Sequence, residues 1–341
     1  MEGLHSRETF ERHDAAPDAI ALHRPSARRA LPPLRVGLLN NMPDAALIQT
    51  ERQFGRVVDA GAGRRGARLL PFFLDGVARG EQARAHMALA GYAPASAIPA
   101  AGLDALIVTG CEPKAAHLSD EPYFEAFGET VGRAWARGTP TLFSCLAAHA
   151  AVLHLDGIER RRLPAKYSGV YRCERVADHP LLMRVPRVTP VPHSRWNDLP
   201  EADLTAAGYM VLRRSAQVGV DLFLRERDGG LFVFLQGHPE YDGDSLAREY
   251  RRDVSRFLGR ERADCPSLPA HYFPADAARR LSDFAGNAAR MLAEGAPRAA
   301  PFPSIDVEPP LRAAWQAGAA SLMRGFLTLV AERAAAAREA A

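Results

Sequence analysis

Thr141-Leu142-Phe143-Ser144-Cys145-Leu146-Ala147-Ala148-His149-Ala150 decides the fold. Its first four residues read as a short buried strand. Leu146–Leu155, rich in Ala and Leu, reads as a helix, and one cysteine separates the two. Upstream, residues 122–138 have helical character, and Gly138-Thr139-Pro140 stops them. The same alternation continues in both directions. Leu34–Asn40, Ala67–Leu74 and Asp104–Gly110 are apolar runs of strand length, and 47–60 has apolar positions at helical spacing. Gly229-Gly230 precedes the very apolar Leu231-Phe232-Val233-Phe234-Leu235-Gln236, and a helix is expected from about Asp244 to Leu258. Short buried strands alternating with helices predict an α/β fold, a mostly parallel sheet covered on both faces. In such sheets, sites form beyond the carboxyl ends of the strands.

The chain has 341 residues, 47% of them hydrophobic, enough for a sizeable core. The Pro- and Arg-rich residues 1–33 read as an irregular arm, and 34–274 as the main domain. Residues 275–310 read as a variable excursion, and 311–341 as a C-terminal helix that covers the sheet or serves a homodimer. The net charge of +3 with no block of like charge points away from nucleic acid. No apolar stretch reaches the length of a membrane span, and the charged N-terminus does not read as a signal peptide. The four cysteines, Cys111, Cys145, Cys173 and Cys265, match neither a zinc cluster nor a disulfide framework. They read as reduced thiols of a cytoplasmic protein with no metal. Of 43 basic residues only Lys114 and Lys166 are lysine, compact point charges where the rest are guanidinium forks.

Cys145 sits on the turn from strand to helix, where a side chain is pushed out over the sheet edge as in a nucleophile elbow. The free N–H groups and dipole of the helix start favour an anion on sulfur and can hold an oxyanion. A buried inert cysteine is the competing reading. The flanking Ser144 and Leu146 are larger than the residues that usually relieve such an elbow. Gly237-His238-Pro239-Glu240 also follows an apolar strand and should reach the same edge. Residues two apart in extended chain face one way, so His238 and Glu240 are expected to share a site, a base and its orienting carboxylate.

The chain resembles the homoserine O-succinyltransferase family, of class I glutamine-amidotransferase-like fold, over most of 34–272. The resemblance rests on Leu38-Leu39-Asn40-Asn41-Met42-Pro43, Thr50-Glu51-Arg52-Gln53-Phe54, Leu106–Gly110, Lys166-Tyr167-Ser168-Gly169-Val170-Tyr171 and Pro192-His193-Ser194-Arg195. Its most specific piece is Gly237-His238-Pro239-Glu240-Tyr241-Asp242 with Glu249-Tyr250-Arg251-Arg252-Asp253. His271-Tyr272-Phe273-Pro274 and Trp315 complete it. The resemblance implies a flavodoxin-like three-layer domain with a C-terminal helical extension. It puts Cys145 on the acyl-accepting nucleophile, His238 on the base and Glu240 on its partner. Lys166, Ser194 and Arg252 fall on substrate-binding positions, with Glu249 near the amino-acid site. Lys114 falls where the acyl group is selected, and the backbone N–H groups of Leu146 and of the Cys111 loop are the expected oxyanion donors. The implied reaction is acyl transfer, most simply succinyl, from acyl-CoA to the hydroxyl of L-homoserine in methionine biosynthesis. Acyl-CoA is a co-substrate, and no cofactor is permanently bound. Serine as acceptor, an amidotransferase or hydrolase using the same three groups, and a binding protein with a silent site are the alternatives. The chain departs from the family pattern at Leu146 (usually Trp), at His149 (usually Gln) and in Cys111-Glu112-Pro113-Lys114. It also carries two extra residues before Thr50.

Overall fold

The computed structural model describes residues 31–227, 229–294, 301–303 and 311–339. In chain order the elements begin with β1 (Leu34–Leu39), α1 (Asp44–Ala62), β2 (Ala67–Phe73), α2 (Glu81–Ala90), β3 (Ala93–Pro94) and β4 (Ala105–Thr109). They continue with α3 (Phe124–Ala136), β5 (Thr141–Ser144), α4 (Leu146–Asp156), β6 (Arg161–Arg175), β7 (Val188–Asp198) and α5 (Glu201–Ala206). The rest are β8 (Met210–Ser215), β9 (Gly219–Arg227), β10 (Gly230–Leu235), α6 (Ser245–Leu258), α7 (Ala275–Ala293) and α8 (Arg312–Glu339).

All ten strands form one sheet in the order β3-β2-β1-β4-β5-β10-β9-β8-β6-β7. The pairings from β3 to β10 are parallel, and those from β10 to β7 are antiparallel. The expected α/β sheet is therefore present, with an antiparallel extension that the apolar runs did not announce. Strand alternation divides the core. Leu231, Val233 and Leu235 pack on one face with Phe54, Val57 and Val58 of α1 and Leu322, Met323 and Phe326 of α8. Phe232 and Phe234 pack on the other with Phe127 and Val131 of α3 and Val152 of α4. Phe143, Phe234 and Phe223 form a ladder across three strands, with ring centroids 5.0 and 4.8 Å apart. The small residues Ala147, Ala148, Ala150 and Ala151 let α4 lie close on the sheet.

Two readings change. Residues 275–293, read as part of a variable excursion, are helix α7. Its Ala277, Leu281, Ala285 and Ala288 recur every three or four residues and are buried, an amphipathic stripe hidden among Ala and Arg. The rest of that excursion, apart from 301–303, and the expected arm up to residue 30 lie outside the described residues. The segment 237–240 is a bend and turn, not extended chain, so period-two alternation does not explain how His238 and Glu240 meet.

Candidate active site

Strand register brings the two halves of the site together. β5 and β10 are parallel neighbours with Ser144 opposite Leu235, so the residues that follow them leave the sheet side by side. Cys145 N donates to Leu235 O at 2.7 Å. Cys145 adopts φ 50°, ψ −108° as the cap residue of α4, a conformation that costs a non-glycine residue about 1–3 kcal/mol and recurs at functional turns. Relief comes from across the sheet edge. A Cβ at Gly110 would stand 2.9 Å from Ala147 N and collide with the Leu146 side chain, so only glycine lets the β4 loop press against the start of α4. That contact brings the loop beginning at Cys111 to the N–H groups of the elbow.

His238 Nδ1 lies 2.8 Å from Glu240 Oε1, and that oxygen lies 3.4 Å from Ser144 Oγ. Burial alone would drive the imidazole neutral. The nearby Cys145 sulfur and the Glu240 carboxylate outweigh it and hold the His238 pKa well above its ordinary value. Cys145 keeps 7% of its surface exposed, whereas Cys173 has none. Burial pushes the Cys173 thiol far up, the inert state of a core cysteine.

The 237–242 turn is held from outside by groups whose roles the sequence did not reveal. Arg56 of α1 donates to Glu240 O at 2.9 Å and pairs with Asp242. Gln49 and Gln53 also reach Asp242, and Gln53 reaches Ser245 Oγ at 2.9 Å. Trp315 of α8 donates Nε1–H to Tyr241 O at 3.1 Å, so the C-terminal helix braces the turn. The Tyr241 ring stacks on His238 with centroids 4.3 Å apart.

Beside the triad lies a second polar group. Tyr241 Oη donates to Glu249 Oε1 at 2.6 Å, and Ser194 Oγ donates to Glu249 Oε2. Lys166 Nζ sits 3.4 Å from Glu249 Oε2 and 2.9 Å from Asp253 Oδ2, and Arg252 Nη2 reaches Asp253 Oδ1 at 2.9 Å. Burial raises the Glu249 pKa, but the Lys166 charge and the Ser194 and Tyr241 bonds win and bring it below the usual value. The structure thus brings Lys166, Ser194, Glu249 and Arg252 together and adds Tyr241 and Asp253. Lys114 is apart on the exposed β4 loop. Its backbone N–H and that of Ala115 are held by Glu121 at 2.5 and 2.6 Å.

One turn along α4 from Cys145, buried His149 Nε2 lies 3.0 Å from Gln236 Oε1, tying the cysteine helix to the strand that ends at the His238 turn. Burial, with Arg195 nearby, lowers the His149 pKa to about 3, so its ring is neutral. Beneath Gly237, the ligand atoms of Cys173, His193 and Asp221 lie within 4.8 Å of one another. Arg213 Nε already pairs with Asp221 Oδ2 at 2.5 Å, which sets a fixed cation where a metal would need anionic charge. A separate cavity of about 1180 Å³ is lined by Arg172, Arg175, Arg187 and Arg214 among others, and by none of the triad.

A thiol on a strand-to-helix elbow, beside a carboxylate-paired imidazole at the carboxyl edge of a doubly wound sheet, is an arrangement compatible with the class of α/β enzymes that use a Cys–His–Glu site. The homoserine O-succinyltransferase family profile matches residues 5–335. A homoserine O-succinyltransferase of Methylorubrum extorquens is 58% identical over 316 residues, covering 93% of this chain and 92% of its own. One of Rhodopseudomonas palustris is 48% identical over 275 residues, covering 80% and 82%. Among solved structures, a glutamine amido transferase from Methylobacillus Flagellatus shares 15% identity at a TM-score of 0.46, covering 89% of this chain and 95% of its own. The chain belongs to the homoserine O-succinyltransferase family.

Proposed function

We propose that this protein transfers a succinyl group from succinyl-CoA to the hydroxyl of L-homoserine, through an acyl-enzyme on Cys145. The observation that carries the reading is the Cys145–His238–Glu240 grouping beside the partly buried Glu249–Lys166 pair and the exposed Arg252, in a member of this family. Cys145 Sγ attacks the thioester carbonyl. The oxyanion takes hydrogen bonds from the N–H groups of Leu146 and of the Cys111 loop. As the C–S bond breaks, His238 gives its proton to the departing CoA sulfur, and the ring is left neutral. The acceptor hydroxyl then loses its proton to His238 and attacks the acyl-enzyme, which frees the cysteine. Glu240 fixes the ring and its charge throughout. Glu249 receives the acceptor ammonium, and Arg252 with Lys166 receives its carboxylate.

In this reading the enzyme serves methionine biosynthesis in the cytoplasm. A matrix of acyl-CoA donors against hydroxy-amino acids, read by release of free CoA, tests the reading. Succinyl-CoA with L-homoserine should be the fastest pair, and intact mass without acceptor should show one added succinyl group on Cys145. Ammonia release from glutamine with no CoA release would sink it in favour of an amidotransferase.

Lys114 is exposed, with no carboxylate at ion-pair distance among the described residues, so its ammonium is free for the terminal carboxylate of a succinyl group. Lys114→Glu should lower kcat/KM for succinyl-CoA by roughly tenfold and leave acetyl-CoA within about twofold, the scale of one charge-assisted contact. An unchanged donor preference removes Lys114 from acyl selection.

A further inference from the structure

Trp196, two residues along β7 from Ser194, carries guanidinium groups from two other segments. The Arg162 guanidinium carbon lies 4.3 Å from the ring centroid and that of Arg262 lies 5.8 Å from it. Arg160 adjoins Arg162 closely enough for their charges to oppose one another. Neither Arg160 nor Arg162 has a carboxylate at salt-bridge distance among the described residues, and Arg262 has only Asp253, at 3.8 Å. Two of these nitrogens, Arg160 Nη1 and Arg262 Nε, are buried without any hydrogen-bond partner. Buried guanidinium N–H groups left unpaired are costly, and three crowded cations are costlier still. Such an arrangement is stabilised by an anion from outside the chain. Burial together with Arg162 pulls the Arg160 pKa down, against the pull of Tyr123, Glu159 and Glu121.

One path of charge and one of contacts relate this cluster to the site. On one side, the Arg160 charge acts on His149, one turn along α4 from Cys145, and on Glu121, which holds the Lys114 loop. On the other, Arg262 meets Asp253, Asp253 meets Lys166, Lys166 meets Glu249, Glu249 meets Tyr241, and Tyr241 stacks on His238. The cluster therefore stands outside the triad, next to the Asp253–Lys166–Glu249 group that adjoins it. An aromatic plate beside several guanidinium forks matches one chemistry, a purine ring carrying phosphates.

We propose that Arg160, Arg162, Arg262 and Trp196 form the subsite that binds the phosphorylated adenosine end of the acyl donor. The ligand's identity rests on the acyl-CoA reading above, but the site's own test does not need turnover. Titration with adenosine 3′,5′-bisphosphate, which has no thioester, should show saturable binding to the wild-type protein. Arg162→Glu with Arg262→Glu should weaken it by roughly tenfold to a hundredfold, the value of one or two charge-assisted bonds. Arg162→Ala alone, at an exposed strand position that leaves folding intact, should weaken it in the same direction. Inorganic phosphate should compete poorly, because it lacks the ring that Trp196 would stack. In turnover, the double variant should raise KM for succinyl-CoA by a similar factor. It should leave the succinyl thioester of N-acetylcysteamine, which has no phosphate, within about twofold. No saturable binding, equal binding by wild type and variants, equal competition by inorganic phosphate, or equal loss with both thioesters would each overturn the subsite. A wild-type protein that binds the bisphosphate but transfers nothing from any CoA thioester fails the functional reading and leaves the subsite standing.

Discussion

Cys145→Ala should abolish acyl transfer, with kcat/KM for the donor falling by roughly 10⁴–10⁶-fold, the range seen when a covalent nucleophile is removed. The elbow geometry makes the loss specific. The backbone at φ 50° is already fixed by the Leu235 bond and the Gly110 contact, so alanine changes the sulfur and little else. Melting temperature should stay close to wild type, because a cap residue of small volume is exchanged for a smaller one. His238→Ala should cost a comparable factor, and the double variant little more than either single one, because the two groups act as one unit. Glu240→Gln should cost less. It keeps a hydrogen-bond acceptor at Nδ1 while removing a charge that holds the imidazolium. Single-turnover mixing with succinyl-CoA, read by CoA release and by protein mass, separates these cases. A Cys145→Ala protein that still releases CoA at a tenth of the wild-type rate would end the acyl-enzyme mechanism.

The parallel half of the sheet was legible because burial on both faces leaves one kind of residue. Leu34–Leu39, Ala105–Thr109, Thr141–Ser144 and Gly230–Leu235 are short, mostly apolar runs with turns at their ends, and all but Arg35 are buried. The elbow was legible for the same reason, since one polar residue between a strand and a helix stands out. The antiparallel half was not. β6 reads Arg-Arg-Leu-Pro-Ala-Lys-Tyr-Ser-Gly and contains a register shift between Arg162 and Tyr167, which breaks any alternating pattern. β8 and β9 carry Arg213 and Asp221 inward, where a period-two reading expects apolar side chains. Those charges pair with one another across the β8–β9 hairpin and with His193 of β7, a partnership that an apolar pattern does not signal. The His238–Glu240 pairing was anticipated, but a turn produces it and not strand alternation. Lys166, Ser194 and Arg252 came from resemblance alone. Their meeting depends on β6, β7 and α6 converging, which single segments do not encode. Gly110 looked like an ordinary strand end, and its role as the space for Leu146 exists only in three dimensions.

Asp221→Leu should destabilise the fold by about 3–5 kcal/mol, the cost of stripping one partner from a buried ion pair. Asp221 and Arg213 are both fully buried, paired at 2.5 Å, and His193 Nε2 lies 3.2 Å from the other carboxylate oxygen. Leucine leaves the Arg213 charge unpaired and His193 without its partner. Arg213→Met in the same chain should recover most of the loss, because two apolar side chains of similar volume can replace a buried pair at little net cost. The acid side of the stability curve carries the same signature. Burial raises the Asp221 pKa, but Arg213 and His193 pull it below the ordinary carboxylate range. Burial lowers the His193 pKa despite the pull of Asp221. In both groups the unfolded chain binds protons more readily than the folded one. Their contribution is therefore full above the ordinary histidine range and is lost as pH falls through the histidine and then the carboxylate range. Urea unfolding of the wild type should show stability declining from near pH 7 toward pH 3, and the double variant should show a shallower decline. The site feels the same network, since Gly237 lies against Asp221 and His193 just before His238. Asp221→Leu should therefore lower kcat even where the protein is fully folded, whereas a purely structural pair would lower only the midpoint. A single variant within about 1 kcal/mol of wild type, or no recovery in the double variant, would show that the buried charges are compensated elsewhere.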